Sequence, residues 1–549
     1  MDTKRLILFV VFSMSIFMLW DAWQREQNPP PATSQTAAQT PANSGIPTPT
    51  QVAPPAPSSS TVTPAVNPQL TKGERIKVKT DLFDAEIDVN GGDLRRMVLI
   101  KHGSADDKKK PIVLLSDEAP HFYVAQTGLI GGGLPTHKEI FTAAAKEYAL
   151  SADAQKLEVR LTWQGANGVL VNKIYTFTRG SYLIDLAYEI RNASSQTLKA
   201  DAYFQLLRDD TPPAGDSQFL PTYTGPAIYT EAQKFQKHAF GDIGKDAKTD
   251  TVVSKDGWVA ILQHYFLTAY LPQGAGQREF YTKKLSDKLF AAGVIMPLGE
   301  IAPNADARLS VPLYVGPQEQ ETLKQLAPGL DLAIDYGWLT VVAVPIFWLL
   351  NLLHKWIGNW GWAIIVLTIL IKGAFYPLSA ASYRSMAKMK LLAPRLQKMK
   401  EQYGDDRQKM HQAMMEMYKT EKINPLGGCL PVVVQIPVFI ALYWVLLYSV
   451  EMRHAPFALW IQDLTATDPY YILPIIMGLS MIVQTKLNPT PPDPIQAKVM
   501  MIMPVAFSIF FFWFPAGLVL YWVVNNILSI AQQWRINHVL GNAPKPVKR

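Results

Sequence analysis

The stretch Ile364-Ile365-Val366-Leu367-Thr368-Ile369-Leu370-Ile371-Lys372-Gly373-Ala374-Phe375-Tyr376 places one ammonium inside an otherwise apolar run. A cation at the centre of a bilayer costs about 2.5 to 3.5 kcal/mol on insertion scales, so it must snorkel, pair or face water. Pro377 follows closely enough for snorkelling to headgroups. A wet cavity is the other reading, and the neighbouring residues favour it. Thr368 and Tyr376 stand at i−4 and i+4 from Lys372 and would share its helix face. The run Ala516 to Trp534 adds Asn525, Asn526, Ser529, Gln532 and Gln533, and Gln484 closes another run. No acid lies in any of these runs to neutralise Lys372. An indentation open to the cytoplasm would hydrate all of these groups together, whereas interhelical hydrogen bonding would pair them without one.

The surrounding runs make this a membrane protein carrying a soluble domain. Candidate spans are Trp360 to Pro377, Leu430 to Val450, Tyr470 to Thr485, Val499 to Phe514 and Ala516 to Trp534. Tyr470 to Thr485 and Val499 to Phe514 would each reach roughly 24 Å against roughly 30 Å of hydrocarbon, which thins the bilayer locally. Segment 379–424 holds ten Lys or Arg against five Asp or Glu, which places it in the cytoplasm. With the soluble domain outside, one crossing must separate the two. The apolar run Trp338 to Leu353 is therefore expected to lie along the outer interface, with Trp338, Trp348 and Trp356 at headgroup depth.

Outward from there, Lys4 and Arg5 precede an apolar run ending at Trp20, with no small-residue cleavage site after it. An uncleaved anchor is the expectation for 1–26. Residues 27–71 carry no charge and are rich in Pro, Ala, Thr, Ser and Gln, the composition of an extended tether. From 72 to 328 the pattern has period two: Ile184, Leu186, Tyr188 and Ile190 alternate with Asp185, Ala187, Glu189 and Arg191. Turn signals at Asn90-Gly91-Gly92 and Arg179-Gly180-Ser181 separate such runs, so a β-sandwich is expected. The predicted order continues with an interfacial helix at 329–358, span two at 359–378, a cytoplasmic helical hairpin at 379–424 and span three at 425–450. An external loop follows at 451–468, then span four at 469–486, a cytoplasmic loop at 487–498, spans five and six at 499–514 and 515–535, and a basic tail at 536–549. That makes six spans with both termini inside.

Chemistry is sparse in the soluble block. It has no H-E-x-x-H, no G-x-S-x-G and no Walker motif. Gly131-Gly132-Gly133 is followed by Leu134-Pro135 where a phosphate-binding helix would open, and His102, His121, His137, His238 and His264 are scattered without ligand spacing. One cysteine, Cys429, excludes a disulfide framework within the chain. No metal, cofactor or enzymatic activity is expected. The hairpin's seven methionines suit adaptable apolar contacts, and its cations, among them Arg384, Lys388, Lys390, Arg407 and Lys409, suit RNA or lipid phosphate.

Four segments in order then resemble a known family. They are Asn424-Pro425-Leu426-Gly427-Gly428-Cys429, Ala455-Pro456-Phe457-Ala458-Leu459-Trp460-Ile461, Asp468-Pro469-Tyr470-Tyr471-Ile472-Leu473-Pro474, and Trp513-Phe514-Pro515-Ala516-Gly517-Leu518-Val519-Leu520-Tyr521. They resemble the YidC/Oxa/Alb membrane insertases, in the Gram-negative form with a large periplasmic domain. The resemblance implies a bacterial inner-membrane protein that inserts and helps fold membrane proteins, alone or with the Sec translocon. It also implies a hydrophilic groove open to cytoplasm and lipid and bearing one positive charge, which the Tyr-Pro-Leu motif places at Lys372. Many relatives carry Arg there. Lysine lacks the bidentate fork but keeps the charge. Tyr521 matches an aromatic position of the last span, and Trp522 stands where close relatives often have Tyr. The sandwich is implied to resemble sugar-binding folds without known catalysis, and the hairpin and tail to meet ribosome and targeting machinery. Nascent membrane proteins and lipid are the implied partners. A secondary transporter of an anionic solute is the rival reading, and it calls for inverted repeats that the spans lack.

Overall fold

Alternation of apolar and polar residues builds the first part of the chain, and continuous apolar runs build the second. A computed structural model describes residues 46–47, 49, 70–104, 107–213, 222–245, 250–403, 406–421, 430–488 and 494–541. The expected anchor, most of the tether, Cys429 with its motif and the end of the tail lie outside these residues. The chain divides into two units, one of Asn43–Trp338 with Tyr448–Arg453, the other dominated by Leu339–Leu447 and His454–Arg549.

The first unit is the expected β-sandwich. Among the described residues, nineteen strands between Arg75 and Pro317 form a ten-stranded and a nine-stranded sheet, nearly all antiparallel. Leu183–Asn192 is a strand whose Ile184, Leu186, Tyr188 and Ile190 are buried while Asp185 and Arg191 face out. Their register against Val169–Thr178 and Asp306–Pro317 holds that apolar set on the interior. The turn at Asn90 takes positive φ at Gly91 (75°) and Gly92 (61°), as the sequence signal requires. The core is aliphatic and aromatic, from Ile76 through Phe177 to Val315. A charged cluster interrupts it, in which buried Asp93 meets Arg95 at 3.3 Å as well as Lys173. Lys173 and Asp93 are fully buried at 3.6 Å, and the ammonium also donates to the Gly91 carbonyl at 2.9 Å. Burial pushes Lys173 down to about 8, against the pull of Asp93. Helix α1 (Gln320–Leu326) closes the unit.

The second unit is helical: α2 (Thr340–Ile357), α3 (Trp360–Ala374), α4 (Tyr376–Tyr403), α5 (Arg407–Thr420), α6 (Leu430–Tyr448), α7 (Ile472–Leu487), α8 (Pro494–Phe510) and α9 (Ala516–Gly541). Three of the starts have a local cause. The Asn359 side chain caps α3 by accepting from Trp362 N at 3.1 Å, and Asp406 caps α5 by accepting from Lys409 N at 3.0 Å. Buried Asp468 gathers Trp460 Nε1, Tyr470 N and Leu473 N at 2.8 to 3.0 Å ahead of α7. That accounts for the Asp-Pro-Tyr-Tyr motif.

Two features bear on the sequence reading. The helix spanning Gly337–Ile357 is, at 21 residues, long and apolar enough to cross a bilayer, although charge topology assigns it to the interface. It buries Ala343, Ile346, Phe347 and Leu350 and exposes Trp338, Trp348 and Trp356. The helix through Lys372 also breaks: Trp360–Ala374 and Tyr376–Lys390 meet at 66°. Val434–Tyr448, Ile472–Leu487 and Met501–Trp513 are shorter apolar helices.

Candidate functional site

Helix α9 is the hub of the second unit, packing against α3, α4 and α7. Its sequence passes from aromatic to polar. Near its start, Tyr521 and Trp522 join Phe439 of α6, with ring centroids 6.2 and 4.4 Å away. Phe507 of α8 and Phe511 also pack on Trp522, at 5.6 and 5.2 Å. One and two turns further along, the partners become polar.

Lys372 Nζ donates to Ser529 Oγ at 2.7 Å, and Ser529 in turn donates to the Asn525 carbonyl at 2.7 Å. Asn525 Oδ1 accepts from Gln435 Nε2 of α6 at 2.6 Å. Asn526 Nδ2 donates to Ser480 Oγ of α7 at 3.1 Å. Gln533 Nε2 reaches Asn488 Oδ1 at 2.9 Å, and Gln532 Nε2 reaches the Tyr376 carbonyl at 3.3 Å. Lys372 thus meets α9 at Ser529, and polar pairs tie α9 to α6 at Asn525 and to α7 at Asn526. Among the described residues no carboxylate forms an ion pair with it. Serine takes one of the three ammonium protons and leaves the charge uncompensated. Trp522 Nε1 is buried without a hydrogen-bond partner among the described residues, and the Tyr521 hydroxyl lies by the Gln435 side chain. A buried N–H without a protein partner is ordinarily satisfied by water or a ligand.

The structure links Lys372 to Asn525 through Ser529, and Tyr521, Trp522 and Asn526 lie on the same helix α9. It does not unite all of the expected set. Thr368 is buried and its hydroxyl is spent on the Ile364 carbonyl at 2.6 Å. Tyr376 lies beyond the bend at Phe375, so it does not share a helix face with Lys372, and its side chain is exposed. Gln484 is half-buried on α7, one turn past the Ser480 that contacts Asn526. Gln435 and Ser480 escaped sequence reasoning. The signal for Gln435 was a lone amide in an apolar run, which reads equally well as a lipid-facing residue.

On the hairpin, Arg384, Lys388 and Lys390 are exposed along α4 and Lys409 along α5, where it pairs with Asp406 at 3.2 Å. Arg407 opens α5. An Arg395–Glu421 pair at 2.8 Å joins the two helices.

Two family models cover nearly the whole chain: the YidC periplasmic domain matches residues 75–349 and the 60Kd inner membrane protein matches 352–543. The Membrane protein insertase YidC of Methylobacillus flagellatus is 60% identical over 539 residues, 98% of this chain and 97% of that protein. That of Nitrosospira multiformis is 53% identical over 100% of this chain and 99% of its own. An active YidC insertase crystal structure is similar at a TM-score of 0.40 and 19% identity over 87% of this chain and 94% of that one. The chain therefore belongs to the YidC family of membrane protein insertases, inner-membrane proteins with a large periplasmic domain.

Proposed function

We propose that this insertase works by lowering the partitioning barrier for a passenger's polar flank, and that the cation at Lys372 is the attracting charge. The observation that carries the reading is an ammonium held by Ser529 of α9, whose Asn525 and Asn526 bond polar side chains of α6 and α7, with no acid paired to the ammonium among the described residues. A short hydrophilic flank enters this indentation from the cytoplasm and meets water, amides and one positive charge in place of hydrocarbon. The aromatic cluster of Phe439, Phe507, Phe511, Tyr521 and Trp522 seals the outer end. The apolar passenger segment slides along α6 and the short α8, where a thinned bilayer shortens the remaining path. No nucleotide motif supplies energy, so burial of the apolar segment, chain synthesis or the membrane potential must do so.

In this reading the chain crosses the bilayer six times with both ends in the cytoplasm, and Thr340–Ile357 lies along the outer interface. The exposed cations Arg384, Lys388, Lys390 and Lys409, with Arg407, face the ribosome and targeting machinery, and the bundle works alone or beside the Sec translocon. Depletion with complementation tests the function: integration of small two-span proteins should fail without the chain and return with it. Normal integration accompanied by a lost solute flux would instead mark a transporter.

A further inference from the structure

The outer face of the ten-stranded sheet carries residues that ought to see water and do not. Alternation sends Val124, Gln126 and Gly128, Tyr203, Gln205 and Leu207, and Ala291, Gly293 and Ile295 to the side opposite the sandwich interior. Val124, Tyr203, Leu207, Tyr281, Leu289, Ala291 and Ile295 form a second apolar cluster there, each at most 8% exposed. Among the described residues, the hydrophobics set against it include Ile46 and Leu70, both from the charge-free linker expected to be a bare tether. Pro47 is buried beside Ile46.

The chemistry of this face selects its occupant. Its polar atoms are consumed internally: Tyr281 donates to Gln205 at 2.8 Å, Gln205 to Gln126 at 3.2 Å, and Gln126 to Asp93 at 3.0 Å. The Tyr203 hydroxyl is taken by His137. Tyr203 lies flat across Gly128 and Tyr281 across Gly293, where a Cβ would fall 2.4 and 2.6 Å from the respective hydroxyls. Aromatic rings and aliphatic side chains are what remains to be touched. That suits an uncharged extended segment with proline, whose ordering cost is low, and does not suit a saccharide, which needs unspent donors and acceptors.

We propose that this face is a docking surface for an extended Ile-Pro segment, and that Ile46-Pro47 of the same chain is its occupant. Docking pins the linker to the sandwich partway along its length. Given an anchor at 1–26, the leash to the membrane then spans at most roughly 60 Å instead of roughly 140 Å, at about 3.1 Å per residue.

The test uses the full chain in membranes with Cys429→Ser. Ile46→Cys paired with Leu207→Cys or with Leu289→Cys should cross-link within the chain through a short bis-maleimide. Ile46→Asp should speed hydrogen exchange in Tyr203–Leu207 and Leu289–Ile295 by about tenfold, and an added peptide of residues 43–52 should restore protection. Absence of both cross-links, or exchange unchanged by Ile46→Asp, would overturn the proposal. So would restoration by a scrambled peptide of equal composition.

Discussion

Lys372 of α3 and Ser529 of α9 are joined by a 2.7 Å hydrogen bond, and Ser529 passes the contact on to the α9 backbone at Asn525. The bond fixes the ammonium against the hub helix instead of letting it extend along its own helix. A lysine held this way presents its remaining protons to whatever enters between the helices.

Charge at this position should matter most for passengers that carry charge. Lys372→Ala is expected to lower integration of passengers with acidic external flanks by about tenfold, equivalent to about 1.4 kcal/mol, and of neutral ones far less. Lys372→Arg should retain most activity. Pulse-labelled integration at matched protein levels reads this out, and equal losses for both passenger classes would contradict charge attraction.

The amide pair across α6 and α9 offers a second handle. Gln435→Leu strands Asn525 Oδ1, and Asn525→Leu strands Gln435, each at about 1 to 2 kcal/mol if the pair is dry. In a hydrated indentation water replaces the lost partner. Each single change should then shift the thermal transition of the detergent-solubilised chain little, with near-additive effects in the double variant.

In the sandwich, Lys173→Met removes the donor shared by Asp93, Gly91 and Thr127 from a fully buried site. Asp93 keeps Arg95 and Gln126, at 3.3 and 3.0 Å, so losing Lys173 should cost about 1 to 3 kcal/mol, seen as an earlier loss of the β-sheet signal on heating. Loss of activity without that shift would point to a role other than packing.

Glu451, in the turn after α6, is pushed up to about 7 by burial, with the charges of Glu319 and Glu321 adding to it. The folded state therefore binds more protons than the unfolded one between about pH 4.5 and 7. Stability from this group is full below that window and declines as pH rises through it. Glu451→Gln should stabilise the chain at pH 8, by on the order of 2 kcal/mol, and change little at pH 4. Melting curves at the two pH values check the sign.

Period-two alternation made the sandwich legible, because a sheet with one buried face prints its register directly into sequence, as at Ile184 to Ile190. Lys173 was hidden by that same rule. A lysine among alternating positions reads as solvent-facing, yet it shares the inner face with Val171 and Tyr175. Lys372 stood out because a charge in an apolar run has few physical outcomes. Its partner Ser529 was visible only as one polar residue among several. Which of those meets the ammonium depends on how α3 and α9 are rotated, and that is set by packing rather than local pattern. The break at Phe375 overrode the i+4 relation that would have placed Tyr376 beside Lys372.

Hydration around Lys372 is best tested by single cysteines in the Cys429→Ser chain at Asn525, Ser529 and Gln435, with exposed, apolar-flanked Ile369 as the expected dry control. A charged, membrane-impermeant maleimide added from the cytoplasmic side should label the first three at rates near those of an exposed loop cysteine and leave position 369 unmodified. Labelling at none of the three, with the protein folded and active, would mean a sealed polar core and would contradict a wet route for passenger flanks.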